Sequence, residues 1–193
     1  MASGAADIAS LTFAVADVYD LDVEALGGPF DVVHAHQVLQ HLPDPVAALR
    51  AMADAVRPGG LVAARDSDYS GMTWYPQPPA MDEWMDLQQR VSRDNGGEPD
   101  AGRRLLSWAL AAGFAEVTPS ASVWCFATPA ERRWWGGLWA ERVTSSALAG
   151  QARESGLATD SDLQRMAAGW HEWADAEDGW LVIVLGEVLC RVR

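Results

Sequence analysis

The sequence predicts an α/β fold on a largely parallel sheet, and three observations predict it. Short apolar runs alternate with helix-period segments through the first half. Turn residues punctuate each change: Gly27, Gly28 and Pro29, then Pro58, Gly59 and Gly60. The chain has 193 residues and is 49% hydrophobic, one domain's length with enough apolar side chain to bury a core.

Leu11 to Ala16 (LTFAVA) reads as a strand and Asp17 to Asp22 as the polar turn after it. Phe30 to Ala35 (FDVVHA) reads as the next strand. Asp44 suits a helix N-cap and Pro45 its first turn. Val46, Leu49, Met52 and Val56 then fall at helical spacing. Leu61 to Arg65 reads as a third strand. Strands separated by helices are the pattern of βαβ units.

Tyr69 to Ala80, with Gly71, Pro76, Pro78 and Pro79, reads as a loop. Met81, Trp84, Leu87 and Val91 form a helical face, and Asn95 to Asp100 a loop. Asp100 is expected to cap a helix carrying Leu105, Trp108 and Ala112, which stops at Gly113. Glu116 to Phe126 contains a strand. Thr128, Pro129 and Glu131 make a capping-box signature for a long Trp-rich helix. Leu163, Met166, Trp170 and Trp173 mark a further helix. Trp180 to Val192 reads as a last strand, interrupted near Gly186.

The net charge of −13, with 14 basic against 27 acidic residues, argues against a nucleic-acid partner. No run approaches the ~18 uncharged apolar residues of a membrane span. Met1 to Ile8 carries Asp7 and no Lys or Arg, so it does not read as a secretory signal. The expectation is a soluble, cytoplasmic protein. Cys125 and Cys190 sit in apolar stretches and are expected as buried thiols, with a disulfide as the lesser alternative. No zinc spacing or CxxC pair is present, so no metal site is expected.

The stretch Phe30 to Gly60, FDVVHAHQVLQHLPDPVAALRAMADAVRPGG, resembles the later motifs of class I S-adenosylmethionine-dependent methyltransferases, above all the quinone-biosynthesis group. By that resemblance FDVV is the fourth strand, VLQHL the turn after it, and RPGG the turn into the fifth strand. Ala16 to Leu21 (ADVYDL) then matches the end of the third strand and its adenine-contacting loop. Ala112 to Phe114 matches the approach to the sixth. The resemblance implies a Rossmann-like sheet with an antiparallel C-terminal strand and helical insertions, and methyl transfer to a small organic acceptor.

The family's opening strand and glycine-rich loop find no match. Gly4 is the only glycine before the third-strand match. The expectation is therefore an N-terminally truncated sheet with an exposed edge on Phe30 to Ala35, which invites pairing. The third strand moves in beside the fourth, two chains pair as a homodimer through that edge, or the chain folds poorly; one of the first two is expected. Residues 1–193 are expected to form a single domain, with 11–68 as a partial cofactor-binding half. Residues 69–193 are then the substrate side, with a helical insertion over about 129–178. The competing function is a non-catalytic protein using the sheet edge as an interaction surface. A nicotinamide dehydrogenase would need a glycine fingerprint followed by an acidic residue, and none is present.

The resemblance implies that Asp17 accepts a hydrogen bond from the cofactor's adenine amino group and that Val18 adds contact. The plain alternative is a turn-stabilising Asp. His34 and His36 share one face of a strand end. With Gln37 they are expected along the S-adenosylmethionine site, since α/β sheets bind ligands at the carboxyl ends of strands. The alternative is an ordinary strand-end histidine. His41 is expected to pack locally. No catalytic residue is assigned; His36, Asp66 and Asp68 are the candidates for taking a proton, against a solvent-facing acidic turn for the two aspartates. Trp74, Tyr75 and Trp139 are expected to line the acceptor site, and core packing is the alternative. Arg103 and Arg104 open a helix, where positive charge is unfavourable, and so point to an acidic partner.

Overall fold

A computed structural model describes residues 11–193. The stretch Met1 to Ile8 read above for a signal, and Gly4, lie outside the described residues.

Four strands form one sheet: β1 (Phe30–His36), β2 (Val56–Tyr75), β3 (Glu116–Phe126) and β4 (Trp180–Arg191), in the order β1-β2-β4-β3. β1 pairs parallel with β2, and β4 pairs antiparallel with both β2 and β3. β1, β2 and β3 therefore run the same way and the C-terminal strand alone is reversed, as expected. The helices are α1 (Pro45–Asp54), α2 (Pro79–Asp94), α3 (Leu105–Ala112), α4 (Pro129–Ser145), α5 (Ala147–Glu154) and α6 (Asp160–Asp175). Short 3-10 turns cover Leu39–His41 and Gly102–Arg104.

Local chemistry sets the helix ends. The Asp44 side chain accepts from the Ala47 N–H at 2.9 Å at the start of α1. Thr128 with Glu131, and Thr159 with Asp162, close reciprocal capping boxes on α4 and α6. Gly113 ends α3 at φ +105°, which an L side chain rarely adopts.

Two cores lie on opposite faces of the sheet. In β4, Leu181 and Ile183 enter a tryptophan-rich core with Trp84, Trp139, Trp170 and Trp173, built by α2, α4, α5 and α6. Val188 and Cys190 enter a smaller core with Leu49, Val62 and Leu105, built by α1 and α3. Odd and even positions of a strand point to opposite faces, so β4 serves both layers. Trp84 stands edge-on to Trp139 and Trp170, each at 4.7 Å between centroids, a favourable aromatic geometry.

Several expectations are corrected. Leu11 to Ala16 is no strand. It pairs with nothing among the described residues, and Phe13 is 78% exposed. It does not move in beside β1, which has a strand on one side only among the described residues. Tyr69 to Tyr75 is not loop: after a register shift between Asp68 and Thr73, β2 resumes pairing with β4. β4 runs unbroken through Gly186. Asp100 caps no helix; its carboxylate accepts from the Ser70 N–H, the Ser70 hydroxyl and Arg93. Cys190 is buried, but Cys125 is exposed on the outer strand β3.

Candidate functional site

The carboxyl end of β1 lies beside the middle of β2, with His36 paired to Arg65. Directly after β1 the chain turns at Gln37, whose φ of +57° is uncommon for a residue with a Cβ. Polar contacts hold the turn. The Gln37 N–H donates to the Arg65 carbonyl at 2.8 Å. Its Oε1 accepts from the Ser67 hydroxyl at 2.8 Å and from Gln40 Nε2 at 2.7 Å.

Asp66 lies beneath this turn with no exposed surface. Its Oδ1 accepts from the Gln40 N–H at 3.2 Å. Desolvation pushes its carboxyl up to about 7, against the backbone N–H groups of Gln40, Leu39 and Val38, which pull it down. Three buried polar atoms here lack a partner among the described residues: Asp66 Oδ2, Gln37 Nε2 and Gln40 Oε1. Buried orphans in one place mark a site that accommodates a further polar group.

Asp68, two residues on, is committed elsewhere. Arg103 grips it through Nε and Nη2 at 2.6 and 2.5 Å, and the Arg103 and Gly71 N–H groups add bonds at 3.1 and 3.0 Å. Asp68 is the acidic partner that Arg103 demands. Arg104 stands 3.7 Å from Glu98.

His34 and His36 share a face, their rings stacked at 6.0 Å. His36 also stands edge-on to Trp124 at 5.7 Å. Arg65 lies over the same indole at 5.2 Å and pairs with Glu187 at 3.0 Å. Desolvation, then the positive Arg65, then His34 hold His36 below the usual histidine range, so it is neutral at pH 7. Partial burial lowers His41 as well. Glu187 is held low by hydrogen bonds from Ser122 and Ser120 and by Arg65.

The Asp17 turn lies against the start of α1. Asp17 Oδ1 accepts from the Tyr19 N–H at 2.9 Å, the turn-stabilising bond of the plain alternative. Val18 packs on the smaller core. The Tyr19 hydroxyl accepts from the Asp44 N–H at 3.1 Å, which ties the turn to the start of α1.

The tryptophans expected around an acceptor are placed differently. Trp74 and Trp139 are buried in the large core, each edge-on to Trp84. Tyr75, next to Trp74 on β2, points the other way and is 57% exposed. Among the described residues no three His, Cys, Asp or Glu side chains gather as metal ligands, and no helix is long and apolar enough to cross a membrane.

Sequence reasoning missed Gln40, Ser67, Tyr19 and the Arg65–Trp124–Glu187 group. The i, i+3 spacing of Gln37 and Gln40 was a usable signal for the first. Nothing local foretold that Trp124, from the far edge of the sheet, would reach His36.

A methyltransferase-domain family profile matches residues 3–119, more than half of the chain. The chain belongs to that methyltransferase family. It is 32% identical over 187 residues to an uncharacterized methyltransferase of Schizosaccharomyces pombe, covering 95% of this chain and 65% of the relative. It is 45% identical over 62 residues to the ubiquinone biosynthesis O-methyltransferase of Ralstonia nicotianae, covering 30% of this chain and 26% of that protein. The chain thus spans less than two thirds of the length of these relatives. Among solved structures, a Bacillus halodurans putative methyltransferase aligns over 91% of this chain and 75% of its own, at 12% identity and a TM-score of 0.43. Haemonchus contortus phosphoethanolamine N-methyltransferase 2, solved with S-adenosyl-L-methionine, aligns over 84% and 33%, at 16% identity and a TM-score of 0.40.

Proposed function

We propose that this methyltransferase-family chain takes part in S-adenosylmethionine-dependent methyl transfer to a small organic acceptor, at the rim where β1 ends beside Arg65 to Ser67 of β2. The observation that carries the reading is the Tyr19–Asp44 hydrogen bond. With Val18 on the smaller core, which Val33 and Val38 on either side of His36 and Gln37 also join, it holds the Asp17 turn on that face of the sheet.

The residues present fit the cofactor in part. Asp17 is exposed, and its Oδ2 meets no donor among the described residues, so it can accept from an exocyclic amine. The orphaned Gln37 Nε2 and Gln40 Oε1 leave one donor and one acceptor for a polar group. Bound S-adenosylmethionine supplies a methyl group already activated on a sulfonium. The protein's own task is then to align the acceptor and to receive its proton. Of the three candidates, Asp68 is neutralised by Arg103 and Asp66 has no exposed atom. His36 is exposed and neutral at pH 7, so one of its ring nitrogens is the group able to take the proton.

Calorimetric titration of S-adenosylmethionine into the chain, beside its Asp17→Ala variant, tests this. The expected result is micromolar binding that the variant loses. A folded chain that gives no heat overturns the reading.

A further inference from the structure

Among the described residues β1 has a strand on one side only, and its pairing with β2 is regular from Val32 to His36. A regular open edge presents a row of unpaired N–H and C=O groups, a template for a further strand. The opposite edge of the sheet is guarded, because β3 carries Pro119, which has no N–H to offer. β1 holds no Pro, Lys or Arg, the residues that blunt an edge. Val32, on the face away from the smaller core, is 52% exposed.

The same chain carries a strand pattern without a place. Leu11 to Ala16 (LTFAVA) is exposed at every position, Phe13 and Val15 most of all. Leu11, Phe13 and Val15 fall two apart, so in an extended segment they share one apolar face. The turn that follows is tied down by the Tyr19–Asp44 hydrogen bond and by Val18 on the smaller core. From that position the segment pairs with no strand among the described residues.

We propose that two copies of the chain exchange these elements, Leu11 to Ala16 of each adding a strand to the open edge of β1 in the other. A second copy is the fitting partner because each chain holds both the open edge and the unpaired strand. A two-fold pair therefore satisfies both edges at once and closes. Six extended residues reach about 20 Å, enough to run the length of Val32 to His36. Two such additions hide on the order of 1,200 Å² in total, where specific interfaces begin. Neither Leu11 to Ala16 nor Val32 to His36 contains Asp, Glu, Lys or Arg, so the pairing buries no unpaired charge. Each copy carries a net charge of −13, and the resulting repulsion is screened by salt. The exchange starts before Asp17, so it goes beyond the methyl-transfer reading and needs no cofactor.

Sedimentation velocity of the full chain across a range of concentrations tests this, with amide hydrogen exchange read at both ends of the range. A reversible dimer is expected, with a Kd on the order of micromolar that tightens as salt is raised. The amides of Leu11 to Ala16 and of Val32 to His36 are expected to slow together as it forms. Phe13→Asp with Val15→Asp, and separately Val32→Lys, are each expected to weaken the dimer at least about tenfold. All three positions are exposed, so these variants read association rather than folding. A folded chain that stays monomeric throughout overturns the proposal. So does a dimer that either variant leaves intact, or one that protects neither segment, since another surface then holds it. The calorimetric titration above succeeds or fails independently of this result.

Discussion

Gly102 lies directly on Gly186. A Cβ on Gly186 would overlap the Gly102 carbonyl, and one on Gly102 would stand 2.9 Å from the Gly186 nitrogen and 3.0 Å from the Asp66 carbonyl oxygen. The two glycines let the Gly102–Arg104 turn sit on the sheet where β2 and β4 pair Asp66 with Gly186. That seat is what brings Arg103 within reach of Asp68. Gly186→Ala is therefore expected to destabilise the fold by more than about 3 kcal/mol, since the clash is with backbone that has no room to yield. Urea denaturation measures it; a loss below about 1 kcal/mol would show that the turn lifts away cheaply.

Arg103→Ala leaves the Asp68 carboxylate buried with only two backbone N–H groups as donors. Breaking a buried pair costs roughly 3–5 kcal/mol, but Arg103 is half exposed, so about 1–3 kcal/mol is expected. Arg103→Lys keeps the charge but loses the two-pronged grip, and should fall between. Denaturation midpoints of the three proteins, ranked in another order, would contradict this account of Asp68.

The two thiols are expected to react at very different rates. Cys190 has no exposed surface, and burial pushes its thiol up to about 11. Cys125 is open on β3. A disulfide-exchange reagent at pH 8 should titrate one thiol quickly and the second only in denaturant. Two fast thiols would mean that the smaller core opens readily.

Local grammar made most elements legible. The Asp44 and Thr128 caps, the Trp170 and Trp173 stripe and the Gly113 stop all act within a few residues of sequence. What escaped notice depends on partners far along the chain. Thr73 to Tyr75 is strand because Val182 to Trp180 lies opposite, and proline-rich surroundings hid that. Leu11 to Ala16 carries the strand pattern but pairs with nothing among the described residues, so pattern alone misled. The rim shows the same division. His34 and His36 on one face follow from a period of two, whereas Trp124 and Glu187 arrive beside Arg65 only through the β2-β4-β3 order.

Asp66 should make stability depend on pH in the direction opposite to most carboxylates. Its folded-state value is raised to about 7 from an ordinary 3.8, so between these limits the folded chain holds a proton that the unfolded chain has released. Stability then falls as pH rises from about 4 to 7, by roughly 4 kcal/mol at most, and the full penalty remains above pH 7. Asp66→Asn has no proton to lose. Its Oδ1 still accepts from the Gln40 N–H, and its new N–H₂ group offers a donor where Asp66 Oδ2 and Gln40 Oε1 now lack partners. The variant is expected to lose this descending limb and to exceed the parent in stability at pH 8. Urea denaturation from pH 4 to 8 reads both effects. A parent whose stability rises through this window, or a variant weaker than the parent at pH 8, would show that Asp66 stays ionised beneath the Gln37 turn.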